Sequence, residues 1–583
     1  MASTQALAEQ WLAQDKDAET RAQIEKLVKN DDQVELELRL RKRIAFGTAG
    51  LRSAMKAGFA HMNSLTVLQA SQGLADYLIE QHDPTPLGEL AIAVGYDARY
   101  NSEKFARLSA AAFLQKGLKV LWFGQICHTP MVPFAVSHYQ AVAGVMVTAS
   151  HNPKNDNGYK VYWWNGSQII PPHDAGIAKA IEEVKEILTW DTTLVDNHER
   201  VQNVFAEAAK LYLDHIRELV WPLPSVEQAM PFTYTPMHGV GLTMMKQIAY
   251  MLWFRGHFMR EVAAQAQPNP EFPTVPFPNP EEKGALDLAM QEASKNDTDI
   301  IIANDPDADR FSVAQRIAKG QYHQFTGNQI GILFASHVFE TYTGDRKKLA
   351  MLASTVSSRM LGSMAAKEGF HFQDTLTGFK WLGNVAQDLK RQGYNPAFAF
   401  EEAIGFMFSS VVWDKDGIAA AAVWLTAWQR WKKQGMTPWQ KLQQLYKTYG
   451  YFEDANTYLI SPAPEVTNRA FEDIRKSNAG SRPVKLGKRE ILRWRDLTIG
   501  YDSGTADNKP ILPVDASAQM ITCELENVVF TVRGSGTEPK IKLYIEGKSD
   551  TSEEAKRLAQ EVLEDLLAEW FKPEVYGLRL AGS

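Results

Sequence analysis

Short apolar runs rich in β-branched residues recur along this chain, each breaking off at a cluster of turn formers, with segments of helical apolar spacing between them. Residues 1–45 are of the second kind: Leu7, Trp11 and Leu12, then Ile24, Leu27 and Val28, with charges between, predict a helical collar. Leu90-Ala91-Ile92-Ala93-Val94 predicts a strand, residues 102–114 a helix, and Val120-Leu121-Trp122-Phe123 another strand. Ala143-Gly144-Val145-Met146-Val147 reads as a buried strand, Asn165-Gly166 marks a hairpin within residues 161–170, and residues 174–188 follow as a helix. The same alternation restarts at residue 232, with a helical pattern running to residue 252. Proline density then forbids helix over residues 268–280, and Ile300-Ile301-Ile302-Ala303 is the next buried run. A third round has strands at 349–353 and 397–400 and a helix rich in Ala and Trp after Gly417. The last segment differs: 511–514, 520–524, 528–532 and 541–546 read as strands, and 552–571 as an amphipathic helix. Strands alternating with helices imply an α/β protein whose strand-end loops gather along one edge, where ligands bind.

Composition narrows the class. At roughly 150 residues per domain, 583 residues suggest about four domains. Hydrophobic residues at 45% and charged residues at 22% are ordinary for a folded enzyme. The longest apolar run, Ile418-Ala-Ala-Ala-Ala-Val-Trp-Leu425, falls far short of the roughly 20 residues that span a bilayer, so no membrane partner is expected. The N-terminus lacks a basic and apolar leader, and Cys127 and Cys523 are the only two cysteines; the expectation is a cytoplasmic protein with reduced thiols. A net charge of −7 argues against nucleic acid and requires any anionic substrate to be held by a local group of Arg and Lys.

Four loops carry chemistry. After the 143–147 strand comes Thr148-Ala149-Ser150-His151-Asn152-Pro153-Lys154, which offers a serine at a loop tip; a base or a metal ion could activate it, and His151 and Lys160 lie near in sequence. After the 300–303 strand comes Asp305-Pro306-Asp307-Ala308-Asp309-Arg310. Alternation in an extended loop can direct the three carboxylates to one side, where all-oxygen donors suit Mg²⁺ and Arg310 suits a phosphoryl group. Arg533-Gly534-Ser535-Gly536-Thr537 has the donors of an anion nest, and Gly47-Thr48-Ala49-Gly50-Leu51-Arg52 is a weaker one. The 397–400 strand runs into Glu401 and Glu402, which can accept from sugar hydroxyls or cap a helix.

In this order the loops resemble those of the α-D-phosphohexomutase superfamily over nearly the whole chain. One loop departs: where many members have Gly-Glu-x-Ser, this chain has Glu401-Glu402-Ala403-Ile404, without the serine hydroxyl. With Thr377-Gly378-Phe379-Lys380-Trp381, that form is similar to the phosphoglucomutase/phosphopentomutase branch, phosphoglucomutase-2-like proteins included. The resemblance implies four domains around a central cleft, three of similar mixed α/β topology and a C-terminal α+β domain, with expected boundaries 1–205, 206–322, 323–450 and 451–583. It implies a phosphoryl group on Ser150, Mg²⁺ held by Ser150, Asp305, Asp307 and Asp309, and Lys160 as general acid/base tuned by His151. Arg52 and Arg310 would neutralise phosphate. Arg533, Ser535, Gly536 and Thr537 would hold the distal phosphate, and Thr377, Lys380, Glu402 and Lys415 would face the sugar.

The expected activity is a mutase that moves phosphate between C1 and C6 of glucose, or C1 and C5 of ribose or deoxyribose, through a sugar bisphosphate. Glucose 1,6-bisphosphate would be the primer, and the protein a monomer or simple homo-oligomer. The alternatives are a phosphomannomutase or a glucose-1,6-bisphosphate synthase on the same fold and, from another class, a non-catalytic phosphosugar sensor.

Overall fold

The computed structural model describes residues 2–47, 50–223, 229–254, 258–534 and 540–581. The chain forms two compact units, one of Met1–Thr343 with Gly378–Pro438, the other of Gly344–Thr377 with Trp439–Ser583.

In the first unit, three helices, Thr4–Gln14, Ala18–Lys29 and Gln33–Leu40, form the expected collar. Trp11, Ile24, Leu36 and Leu40 bury their side chains with Ala57, Phe59 and Leu65. A six-stranded sheet follows in the order Gly50–Ala54, Asp156–Trp163, Ala143–Val147, Ala91–Tyr96, Lys119–Trp122, Val201–Asn203. Its last four strands are parallel, and Asp156–Trp163 returns antiparallel between two neighbours. The apolar run 143–147 is central and wholly buried, which is why it lacks the alternation of a half-exposed strand. Helix Ser64–Gln81, fixed at its start by an Asn63/Thr66 capping box, packs on the sheet and supplies Val67, Leu68, Leu74 and Leu78 to the core. The Asn165-Gly166 hairpin forms, with Gly166 at φ 74° and Tyr162 bridged to Gln168.

A second sheet orders Gln321–Gln324, Ser312–Ala318, Ile300–Ala303, Phe232–Thr235 and Met259–Glu261. Residues 268–280 contain neither helix nor strand, as their prolines require. The hairpin Asn395–Glu401 with Gly405–Met407 and helices Phe379–Arg391 and Gly417–Lys433 complete this unit.

The second unit holds the parallel pair Leu349–Ser354 and His371–Thr375 and a C-terminal antiparallel sheet. Met520–Leu525, Val528–Gly534 and Lys540–Ser549 form the centre of that sheet, under helices Pro464–Arg475 and Ser552–Asp565. Two expectations need correction. Residues 511–514 are not a strand: Pro510 and Pro513 offer no N–H to a ladder, and Ile511 is 84% exposed. The helix expected over 174–188 is His173–Glu183, ending at extended Val184. Among the described residues no helix is long and apolar enough to cross a membrane.

Candidate active site

Strands Ala91–Tyr96 and Ala143–Val147 run parallel with Tyr96 opposite Val147, so the residues that follow them leave the sheet side by side. Thr148 Oγ1 donates to Asp97 Oδ2 at 2.7 Å and accepts from the Ser150 N–H at 2.9 Å. This turn holds Ser150 in the left-handed region, φ 51°, with only 2% of its surface exposed. Arg99 fastens the loop from below. Its Nη2 donates to the carbonyls of Ser150 at 2.5 Å and Asn152 at 2.7 Å, and its Nη1 to that of Pro153 at 3.0 Å. Strand Asp156–Trp163 then passes close beneath, which needs glycine at 158: a Cβ there would lie 2.5 Å from the Thr148 carbonyl oxygen. That strand carries Lys160 to the site.

The acidic loop meets this serine. Asp305 Oδ2 accepts from Ser150 Oγ at 2.7 Å, and its Oδ1 accepts from the Arg310 N–H at 3.0 Å. Asp307 Oδ2 accepts from Thr129 Oγ1 at 2.6 Å and from Lys160 Nζ at 2.8 Å. Asp309 Oδ2 accepts from Lys160 Nζ at 2.8 Å and pairs with Lys415 Nζ at 2.7 Å. The three aspartates are fully buried, and one carboxylate oxygen from each lies within 4.8 Å of the others. Among the described residues Asp307 Oδ1 and Asp309 Oδ1 have no hydrogen-bond partner. Buried oxygens are normally satisfied, so two orphans in a cluster of three carboxylates and a hydroxyl fit a hard divalent cation such as Mg²⁺; among the described residues neither histidine nor cysteine joins the set, which disfavours zinc.

The charges are unevenly shared. Burial and the proximity of Asp307 and Asp309 push Asp305 well above the usual carboxylate range. Burial opposes ionisation of the other two as well, but Lys160 and Lys415 overcome it and hold both below that range. Burial, reinforced by Arg310 and Arg52, keeps His151 well below its ordinary value, a neutral ring with Nδ1 3.3 Å from Ser150 Oγ.

Ser150, His151, Lys160, the three aspartates, Arg310 and Lys415 therefore lie together. Arg52 is exposed on Gly50–Ala54, with Nη1 3.4 Å from Asn152 Oδ1 of the serine loop. Lys380 is buried in the first turn of helix Phe379–Arg391. The capping role open to the glutamate pair falls to Glu401, which accepts from the Gly378 N–H at the start of that helix. Burial and neighbouring Glu402 push Glu401 up to about 7. Glu402 occupies the turn of the 395–407 hairpin, and Ile404, buried at φ 52°, receives the Phe311 N–H on its carbonyl at 3.1 Å, which ties this turn to the residue after Arg310. In the second unit Arg533 Nη1 donates to Thr377 Oγ1 at 2.6 Å. Ser535, Gly536 and Thr537 lie outside the described residues, as do Thr48 and Ala49. Asp97, Arg99 and Thr129 were not anticipated; an Asp-x-Arg directly after a buried strand that neighbours the serine strand was the available signal.

Four successive segments match the family described as phosphoglucomutase/phosphomannomutase: residues 43–188 its alpha/beta/alpha domain I, 210–317 domain II, 326–449 domain III, and 513–565 its C-terminal domain. The chain belongs to this family. The phosphoribomutase of Saccharomyces cerevisiae is 47% identical, covering 97% of this chain and 96% of that protein. The human phosphopentomutase is 41% identical over 98% of this chain and 96% of its own length. The human glucose 1,6-bisphosphate synthase is 40% identical over 96% and 93%. Like the mutases of its family, this chain is an enzyme of the phosphosugar mutase type, an isomerase on a mixed α/β fold.

Proposed function

We propose that this mutase moves a phosphoryl group between C1 and C5 of ribose or deoxyribose phosphate, and between C1 and C6 of glucose phosphate, by way of phosphorylated Ser150 and a sugar bisphosphate. The observation that carries the reading is the Ser150 hydroxyl 2.7 Å from Asp305 inside a buried acidic cluster that Lys160 bridges. A structural serine needs no such surroundings, and a sensor needs no nucleophile. In the forward half, the bond from phosphorus to Ser150 Oγ breaks as a sugar oxygen bonds to phosphorus. Lys160 Nζ, in the form that has given up one of its own protons, takes up the proton that the sugar hydroxyl gives away. The bisphosphate turns over, its other phosphate passes to Ser150, and the net result is a changed position on the sugar. Mg²⁺ bound by Asp305, Asp307, Asp309 and Ser150 would offset the charge of the transferring group. Arg310 and Arg52 add positive charge beside it. Arg533, with Ser535, Gly536 and Thr537, would hold the distal phosphate and orient the acceptor, and Glu402, Thr377, Lys380 and Lys415 would meet the sugar. Glucose 1,6-bisphosphate would prime an unphosphorylated Ser150.

The preference for pentoses rests on the 401–404 turn: Ile404 is buried and offers no hydroxyl, so fewer groups of this turn are left unmet by a sugar with fewer hydroxyls. Two of the relatives named above carry pentose names. A second reading, net synthesis of glucose 1,6-bisphosphate, is favoured by the 40% relative, which differs from the phosphopentomutase by too little for identity to choose. Turnover of ribose, deoxyribose, glucose and mannose 1-phosphates by the purified protein tests the proposal. Pentose phosphates should react best; brisk mannose turnover without the others would overturn it.

A further inference from the structure

The proline-rich segment 268–280 takes no part in the chemistry above, yet it closes on the serine loop at three places. Phe272 is 2% exposed, and its ring centre lies 4.9 Å from the guanidinium carbon of Arg99. Its φ of 45° is one that a bulky side chain adopts only where the surroundings impose it. The imposition is visible: the Phe272 N–H donates to the Asn269 carbonyl, the Asn269 N–H to that of His238, and His238 Nε2 lies 2.8 Å from Thr274 Oγ1. Glu271 reaches outward to accept from Lys154 Nζ at 2.7 Å and from Tyr100 Oη at 2.5 Å. Phe277 sets its ring edge-on to His151, with centroids 6.1 Å apart. Apart from the bond to Tyr100, the residue after Arg99, each contact to the site falls on residues 150–154 or on the arginine that fastens them.

Resting on the phosphoserine reading, we propose that residues 268–280 are a positioning element that decides whether phosphorylated Ser150 gives its phosphoryl group to sugar or to water. In the wasteful reaction a water oxygen bonds to phosphorus, the bond to Ser150 Oγ breaks, a proton from the water restores the serine hydroxyl, and inorganic phosphate leaves. Only geometry separates that reaction from transfer to a sugar oxygen, since the bond broken is the same. Arg99 sets the geometry by gripping three carbonyls of the loop. Phe272 covers one face of the guanidinium, so that its donors stay on those carbonyls and off solvent. The Glu271 and Lys154 pair is the outer fastening. Being half exposed, it contributes less than the buried stack.

The test labels the full-length enzyme on Ser150 with radioactive glucose 1,6-bisphosphate. Two quantities are read: the lifetime of the label without sugar, and phosphate released per sugar isomerised. Phe272→Leu should shorten the lifetime and raise the ratio by about tenfold, within the roughly hundredfold that a misplacement of about 1 Å can cost. Phe272→Tyr, which keeps the ring face, should restore both. Glu271→Gln and Lys154→Met should move both in the same direction by about threefold, the size of an exposed pair. These two exposed variants decide the matter where Phe272→Leu does not fold. Lifetimes and ratios equal to wild type in Glu271→Gln, Lys154→Met and any folded Phe272→Leu would overturn the inference while leaving the mutase reading intact. A wild-type enzyme that never takes the label would overturn both.

Discussion

Two buried carboxylate sites in this molecule, one in each compact unit, show how a scaffold differs from a reactive site. Asp496, in the C-terminal sheet, is fully buried; its Oδ2 accepts from Arg475 Nε at 2.7 Å, and its Oδ1 from Arg475 Nη2 at 3.2 Å and from the Thr498 N–H at 3.0 Å. Both oxygens are met by the protein itself. Asp307 and Asp309 are as deeply buried, but each keeps one oxygen without a partner among the described residues, and they stand among like charges that Lys160 and Lys415 offset only in part. Burying a carboxylate costs several kcal/mol, and a closed ion pair returns most of it. A cluster left partly unmet is arranged for something the chain does not supply.

The comparison breaks first at Ser150. Ser150→Ala should lower turnover by at least about 10⁴-fold, since removing a covalent nucleophile leaves only binding, while the fold survives the loss of one hydrogen bond. Turnover of ribose 1-phosphate near the wild-type rate would end the covalent reading. Next in size, Asp305→Asn or exhaustive chelation should lower turnover by about 10³-fold. In chelator the melting temperature of Asp305→Asn should match or exceed that of wild type, because burial and its neighbours already favour the neutral carboxyl. A variant that melts well below wild type there would make Asp305 a structural residue. Asp496→Asn should do the reverse: a loss of about 3 kcal/mol in denaturant unfolding, from breaking a buried pair, with turnover per folded molecule retained. Lost turnover without lost stability would erase the distinction drawn between the two sites.

What could be read in advance follows the same division. The runs 143–147 and 300–303 announced buried strands, and Ser150 and the alternating aspartates were legible as candidates because they stand just past a strand end. The assignment of those roles came from the resemblance of four loops in order, not from spacing alone. Arg99 was missed because its partners are carbonyls 51 to 54 residues away, and any residue type has a carbonyl. Phe272 looked like one apolar residue in a loop; its meaning lies in a backbone angle and a stacking distance that sequence does not carry. Residues 511–514 misled because isoleucine and valine favour strands while the intervening prolines deny them a ladder. The grouping of 344–377 with 439–583 was equally hidden, since it depends on long-range contacts such as Arg495 with Asp374.

The smallest effect concerns Glu546, on strand Lys540–Ser549, where one carboxylate oxygen accepts from the Arg359 N–H at 2.8 Å and the other is buried without a partner among the described residues. Burial, with Asp454 nearby, pushes it up to about 8 from the ordinary 4.5. Below the ordinary value both folded and unfolded chains hold this proton, and Glu546 adds no pH dependence. Between about 4.5 and about 8 the unfolded chain releases the proton while the folded chain keeps it, so stability falls as pH rises and levels off above the upper value. Glu546→Gln holds the neutral form and an acceptor for Arg359 at every pH. Its stability relative to wild type should therefore improve steadily from pH 5 to pH 8, about the window over which the folded group resists ionisation. Denaturant midpoints measured across that window decide it. A difference between variant and wild type that stays constant with pH would mean that Glu546 is already ionised in the folded chain, its second oxygen met by solvent, and would place it with Asp496 among the satisfied carboxylates.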